Sequence, residues 1–173
     1  MMLYEKPTMR TPKHPYIRKA AFEDVITMYP HLRKADIDEI RAEGRDDFSV
    51  ILSDSMRKSA ECYTVIAPHD TKKPIAMFGV GYPTLHHELS LTYYPIWLLG
   101  TEDITGRYGL RFLKHCKEWV DYFSYEYGPL GNYVHSKNLE SRYWLDRLCK
   151  FKLRHRQVHP ITGEEFCFYY KRK

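Results

Sequence analysis

The segment Gly100-Thr101-Glu102-Asp103-Ile104-Thr105-Gly106-Arg107-Tyr108-Gly109 concentrates the residue types best placed to do chemistry. An apolar run, Ile96-Trp97-Leu98-Leu99, leads into it and an amphipathic run follows. Glycine at a helix start lets the backbone approach a ligand, and the unpaired N–H groups there, with the helix dipole, favour phosphate. Arg107 and Arg111 add positive charge to the same turn. Gly106 and Gly109 are equally what a tight turn needs, so phosphate binding and plain chain reversal both account for them. Trp97 and Trp144 could be ligand platforms, but both sit on apolar runs where packing explains them. Metal chemistry has no support. The cysteines, Cys62, Cys116, Cys149 and Cys167, form no CxxC pair, and the histidines show no ligand spacing. Free thiols of a reducing cytoplasm are the simple reading, and His86-His87 and His155/His159 read as surface or loop positions.

The elements that must hold that turn follow from periodicity. Residues 1–15, with Pro7, Pro12 and Pro15 among Lys6, Arg10 and Lys13, read as a flexible basic arm, and residues 16–173 as one domain. Tyr16–Ala20 reads as a short strand, with a helix from Phe22 broken at Pro30. A second helical piece covers Ala35–Ile40 and closes at Gly44; Asp47 is placed to cap a third that carries Phe48, Ile51, Leu52 and Met56. Cys62–Ala67 and Ile75–Gly81 form a hairpin, and Tyr93–Gly100 is apolar enough to be a strand covered on both faces. The strongest helix spans Gly106–Tyr127, with Leu110, Leu113, Cys116 or Lys117, Val120, Phe123 and Tyr127 as its apolar stripe. Then come a strand at Asn132–His135, a helix at Leu139–Leu148, and a closing hairpin, Lys152–Val158 with Phe166–Lys171.

Composition excludes several classes. The chain has 173 residues, 43% hydrophobic and 28% charged, which fits one ordered domain and argues against disorder. Its net charge of +5 suits an anionic ligand, yet the basic residues form no dense stripe, so a nucleic-acid partner is disfavoured. No signal-like stretch opens the chain, and no run approaches the about 18 apolar residues of a membrane span.

This order of elements resembles the GNAT family of N-acetyltransferases, an α/β fold in which a mixed sheet is flanked by helices. Asn138-Leu139-Glu140-Ser141, continuing through Trp144-Leu145 to Leu148 and Phe151, is similar to that family's last shared stretch, and Ile17-Arg18-Lys19-Ala20 with Glu23-Asp24 to its first strand and helix. A closer likeness is to small acetyltransferase-like proteins of short-tailed phages, through Ile96–Leu99, Thr101 with Asp103, Leu130–Val134, Asn138 and Leu145.

The resemblance implies acyl transfer from acetyl-CoA to an amine of a host protein or small molecule in the host bacterial cytoplasm. Trp97, Leu98 and Leu99 would align the thioester and Thr105, Gly106, Arg107, Tyr108 and Gly109 would hold pyrophosphate. Asn138 would orient the pantetheine arm, with Tyr143 beside it. Glu61, Asp103 and His135 are the candidate proton acceptors, and Asp36 and Glu39 either select a basic substrate or form a solvated helix face. The strands ending at Leu99 and containing Tyr133 should be parallel and splayed. Four positions depart from the family's pattern: Asp103 and Tyr108 in the phosphate turn, Leu145 where a Tyr often protonates the leaving thiolate, and Lys150 in place of a Gly. Tyr143 is about 200° from Leu145 on the helix wheel. These departures support an alternative, a catalytically silent fold that binds a host protein or serves in the virion.

Overall fold

The computed structural model describes residues 9–106 and 108–173. Eight strands form its sheet: β1 (Ile17–Lys19), β2 (Ser59–Ala67), β3 (Asp70–Gly81), β4 (Thr84–His86), β5 (Leu91–Gly100), β6 (Leu130–His135), β7 (Lys152–Val158) and β8 (Glu165–Lys171). Their order is β1-β2-β3-β5-β6-β8-β7, with β4 pairing β5 off this path. Every pairing is antiparallel except β5 with β6.

Helices cover both faces because β3 and β5 carry apolar side chains on both. Met77, Trp97 and Leu99 pack with α1 (Phe22–Met28), α2 (Lys34–Ala42) and α3 (Phe48–Arg57). Phe78, Ile96 and Leu98 pack with α4 (Gly109–Glu126) and with α5 (Leu139–Tyr143), which runs on into a π-helical turn, Trp144–Leu148. The α1 start is held by Asp24, which accepts the Ala21 N–H at 2.9 Å, the Thr64 hydroxyl at 2.7 Å and a two-pronged pair from Arg18. At α3 the expected Asp47 cap is not made, because its carboxylate is taken by Arg45 at 2.9 Å.

The apolar face of α4 is rotated from the expected stripe. Leu110 is 85% exposed, while Phe112 and Trp119 are buried together with the expected Cys116 and Phe123. The helix begins at Gly109, three residues later than expected, and its largest rings choose the face. Trp119 lies 4.3 Å from Tyr63 and 5.3 Å from Phe78, centroid to centroid. Of the expected basic arm, residues 1–8 lie outside the described residues. Residues 9–11 lie against α4, where Met9 N–H donates to Glu126 and the Thr11 hydroxyl to Tyr122.

The feature that matters for function is a parting of the sheet. β5 and β6 are parallel but pair only at Tyr94↔Leu130 and Pro95↔Gly131. Beyond that point β5 follows β3, from Ile96↔Val80 to Gly100↔Ala76, and β6 follows β8 as far as His135↔Phe166. Pro95 has no N–H to extend the ladder. Gly131 is required at the seam, since a Cβ there would stand 2.5 Å from the Tyr93 ring and 2.9 Å from that of Phe168.

Candidate active site in the strand gap

The gap between β5 and β6 is bordered on one side by α4 and α5 and on the other by α2. Parting leaves strand N–H and C=O groups unpaired, and these need partners. At the wide end, the first turn of α2 and the residue before it supply them. Arg33 N–H donates to Gly100 C=O at 2.8 Å, and Asp36 accepts Gly100 N–H at 2.8 Å. Across the gap, Glu39 Oε2 accepts His135 N–H at 3.2 Å. Leu98, two residues before Gly100, turns its own N–H and C=O toward the gap by the strand's two-residue period, where β6 no longer pairs with it.

A cavity of about 100 Å³ fills the gap, walled by Ile96 and Leu98 of β5, Val134 of β6, and Phe112, Trp119 and Trp144 of the helices. A second cavity, of about 270 Å³, opens on the opposite face between α2 and α3, where Glu43, Arg45 and Asp54 line it. Asp36, Glu39, Trp97, Leu98 and Asn132 line both. A groove of about 360 Å³ runs between the start of α4 and α5, lined by Thr105, Gly109, Leu113, Leu139 and Tyr143, and shares Trp144 with the gap cavity.

Electrostatics at the wide end centre on Arg33, which is 1% exposed. Its guanidinium pairs with Asp36 at 2.9 Å and Glu140 at 3.1 Å, meets Ser141, and stands over the Trp144 ring. Its Nε has no hydrogen-bond partner among the described residues. Burial pushes the Asp36 carboxyl upward while Arg33 and the Gly100 N–H pull it back. Glu39 is pushed up to about 7, first by burial and then by Asp36 and Glu43, against the hydrogen bonds from Asn138 and His135 N–H.

The residues singled out from sequence fall into two groups. Trp97, Leu98, Thr105, Gly109 and Tyr143 line the gap or the groove beside it. Leu99 turns to the α1–α3 side and lines the cavity there, not the gap, and Arg107 lies outside the described residues. In the glycine turn, the N–H groups of Gly106, Tyr108 and Gly109 donate to Glu102, Asp103 and Gly106 carbonyls, so they do not face solvent as a phosphate nest would. Gly109 is needed for that closure, because a Cβ would lie 2.9 Å from the Ile104 carbonyl oxygen. Tyr108 packs toward the core beside Phe112 and His14 and does not crowd the groove. Asp103 does not confront an anion there either, since Lys73 pairs with it at 2.7 Å.

The proposed proton acceptors are scattered. Glu61 is on β2, surrounded by Tyr122, Tyr127, Tyr63 and Lys19. Burial alone would raise its carboxyl, but these donors outweigh it and hold it low. The His135 ring pairs with Glu164 at 2.8 Å in a polar cleft outside the gap. Asn138 bonds through both ends of its amide: its Oδ1 caps α5 by accepting Ser141 N–H, and its Nδ2 donates to Glu39 at 2.8 Å. It therefore fixes Glu39 against the start of α5. His86, expected at the surface, is buried against Phe168 at 4.5 Å. Sequence reading missed Arg33 altogether and left Glu39 undecided. The available signal was polar residues at core positions of α2, with Arg33, Asp36 and Ile40 all buried on one stripe.

The architecture has known counterparts. No family model matches the sequence, and no curated protein sequence does. Among solved structures, an acetyltransferase from Agrobacterium tumefaciens str. C58 superposes with a TM-score of 0.64 at 14% identity, covering 100% of this chain and 98% of its own. A GNAT-family acetyltransferase from Bacillus anthracis gives 0.63 at 13% identity, covering 90% and 93%. A chain of the NatC complex bound to Gag peptide and CoA gives 0.65 at 12% identity, covering 91% and 97%. The chain thus has the mixed α/β fold of the GNAT acetyltransferases, as its element order led one to expect. Among the described residues no helix is long and apolar enough to cross a membrane.

Proposed function

We propose that this chain is an acyl-CoA-dependent N-acyltransferase acting on an amine of a host-cell protein or small molecule. The observation that carries this reading is the gap itself: a cavity between parted parallel strands, with Leu98 backbone groups turned into it. An amide-bearing arm such as pantetheine matches those groups as a neighbouring strand would. The groove between α4 and α5 suits the remainder of the cofactor, with Leu139 and Tyr143 exposed along it. The thioester would supply an activated acyl carbonyl. The chain's own part is to bind and orient it on the α4–α5 side and to admit the amine from the α2–α3 side. The fold neighbours support this reading, one of them belonging to a complex bound to CoA.

A second reading is favoured by the glycine turn. With three of its N–H groups used internally, the phosphate site is poorer than the family's, which fits a silent fold that binds a host protein or virion component. Calorimetry with acetyl-CoA separates the two. Micromolar binding is expected, weakened at least tenfold by Gly106→Asp through charge repulsion, followed by acetylation of lysine-containing peptides or small amines on mass spectrometry. No binding at millimolar acetyl-CoA would leave the silent fold standing.

A further inference from the structure

The cavities on the two faces of the sheet meet at five residues, and only Asp36 and Glu39 among these can take a proton in the neutral range or below. Asp36 is spent, with one oxygen on Arg33 and the other on Gly100 N–H. Glu39 is not. Its Oε2 accepts from Asn138 and from His135 N–H, while its Oε1 makes no hydrogen bond among the described residues.

We infer that Glu39 is the proton acceptor for the incoming amine, and that Asn138 is the residue that positions it. This rests on the acyl-transfer reading above. The acceptor's N–H bond breaks, the proton passes to Glu39, and the electron pair stays on nitrogen. That pair forms the N–C bond to the acyl carbon as the C–S bond breaks and sulfur leaves with its electrons, to be protonated by solvent. Glu39 returns its proton to water through the α2–α3 cavity.

The surroundings suit the task. An ammonium in the α2–α3 cavity shares its lining with Glu39, Glu43 and Asp54, while Arg45 and Lys58, the latter paired with Asp54, limit the excess of negative charge. The charged groups around Glu39 are Asp36 and Glu43 on its own helix, Arg33 before it, and Glu140 at the start of α5 held to Arg33; the His135 ring is paired away with Glu164. A carboxyl near 7 is half ionised at neutral pH, where a general base works best.

The test combines kinetics with a direct titration. Glu39→Gln keeps an acceptor for Asn138 and His135 N–H but cannot take a proton. Acetyl transfer from acetyl-CoA to a lysine peptide should fall 100-fold or more, with acetyl-CoA affinity by calorimetry within threefold of wild type. The wild-type acid limb near pH 7 should vanish. Asp38→Asn, on the exposed side of α2, should keep the wild-type rate. In the free protein, carbon-13 NMR of labelled glutamate should show one carboxyl titrating near 7 that is absent from Glu39→Gln and moved in Asn138→Ala. A variant Glu39→Gln that turns over normally overturns the assignment while acyl transfer stands. Absence of transfer by the wild type to any amine offered overturns acyl transfer itself. A Glu39 carboxyl titrating near 4 overturns the assignment whatever the kinetics show.

Discussion

At the scale of single residues, Glu39 links catalysis to stability. Its carboxyl lies near 7 in the folded chain against 4.5 for an unburied glutamate. Between those values the folded state holds a proton that the unfolded chain has released. Stability contributed by this group is therefore full below about pH 4.5, is lost as pH rises toward 7, and stays lost above. Glu39→Gln removes the loss. It should match wild type at pH 4.5 and exceed it at pH 8 by about 1–3 kcal/mol, allowing for the solvent that reaches this half-buried group. Urea unfolding at the two pH values measures it. The sequence marked Asn138 through a family likeness, but not which way its amide would turn. That depended on Glu39, ninety-nine residues earlier, arriving at the same point. Glu61 illustrates the same limit, since a lone acid in a strand gives no hint that three tyrosines will enclose it.

At the scale of elements, nearly every helix and strand was legible because periods of two and about 3.6 survive in these sequences. The continuous apolar run of Tyr93–Gly100, in β5, correctly announced helices on both faces. What failed was rotation and length. The stripe assigned to α4 held at Cys116 and Phe123 but was off at its start, where Leu110 on the first helical turn is exposed while Phe112 and Trp119 bury far more surface. The three-residue β4 was missed, being too short to show a period. Trp119 is the centre of the α4 contact, touching Tyr63, Phe78, Tyr122 and Phe123. Trp119→Ala should cost about 3–5 kcal/mol in chemical unfolding, whereas Leu110→Ala should cost about 0.5 kcal/mol or less.

At the scale of the whole molecule, the parted sheet was readable from element order through its resemblance to a known fold, and the chain obeys it despite identities of only 12–14% to the neighbours. How the wide end would be closed was not readable, because it depends on side chains from α2 meeting two strands far off in sequence. That closure has a dynamic consequence. Gly100 and His135 lie at strand ends that should fray, yet their amide hydrogens are held by carboxylates one helical turn apart on α2. Release of one shifts the helix away from the other. The two amides should accordingly exchange with deuterium at nearly the same slowed rate, speed up together when Asp36→Ala loosens the helix, and leave the β8-facing Val134 amide unaffected. Independent rates at Gly100 and His135 would mean that the two sides of the gap open separately.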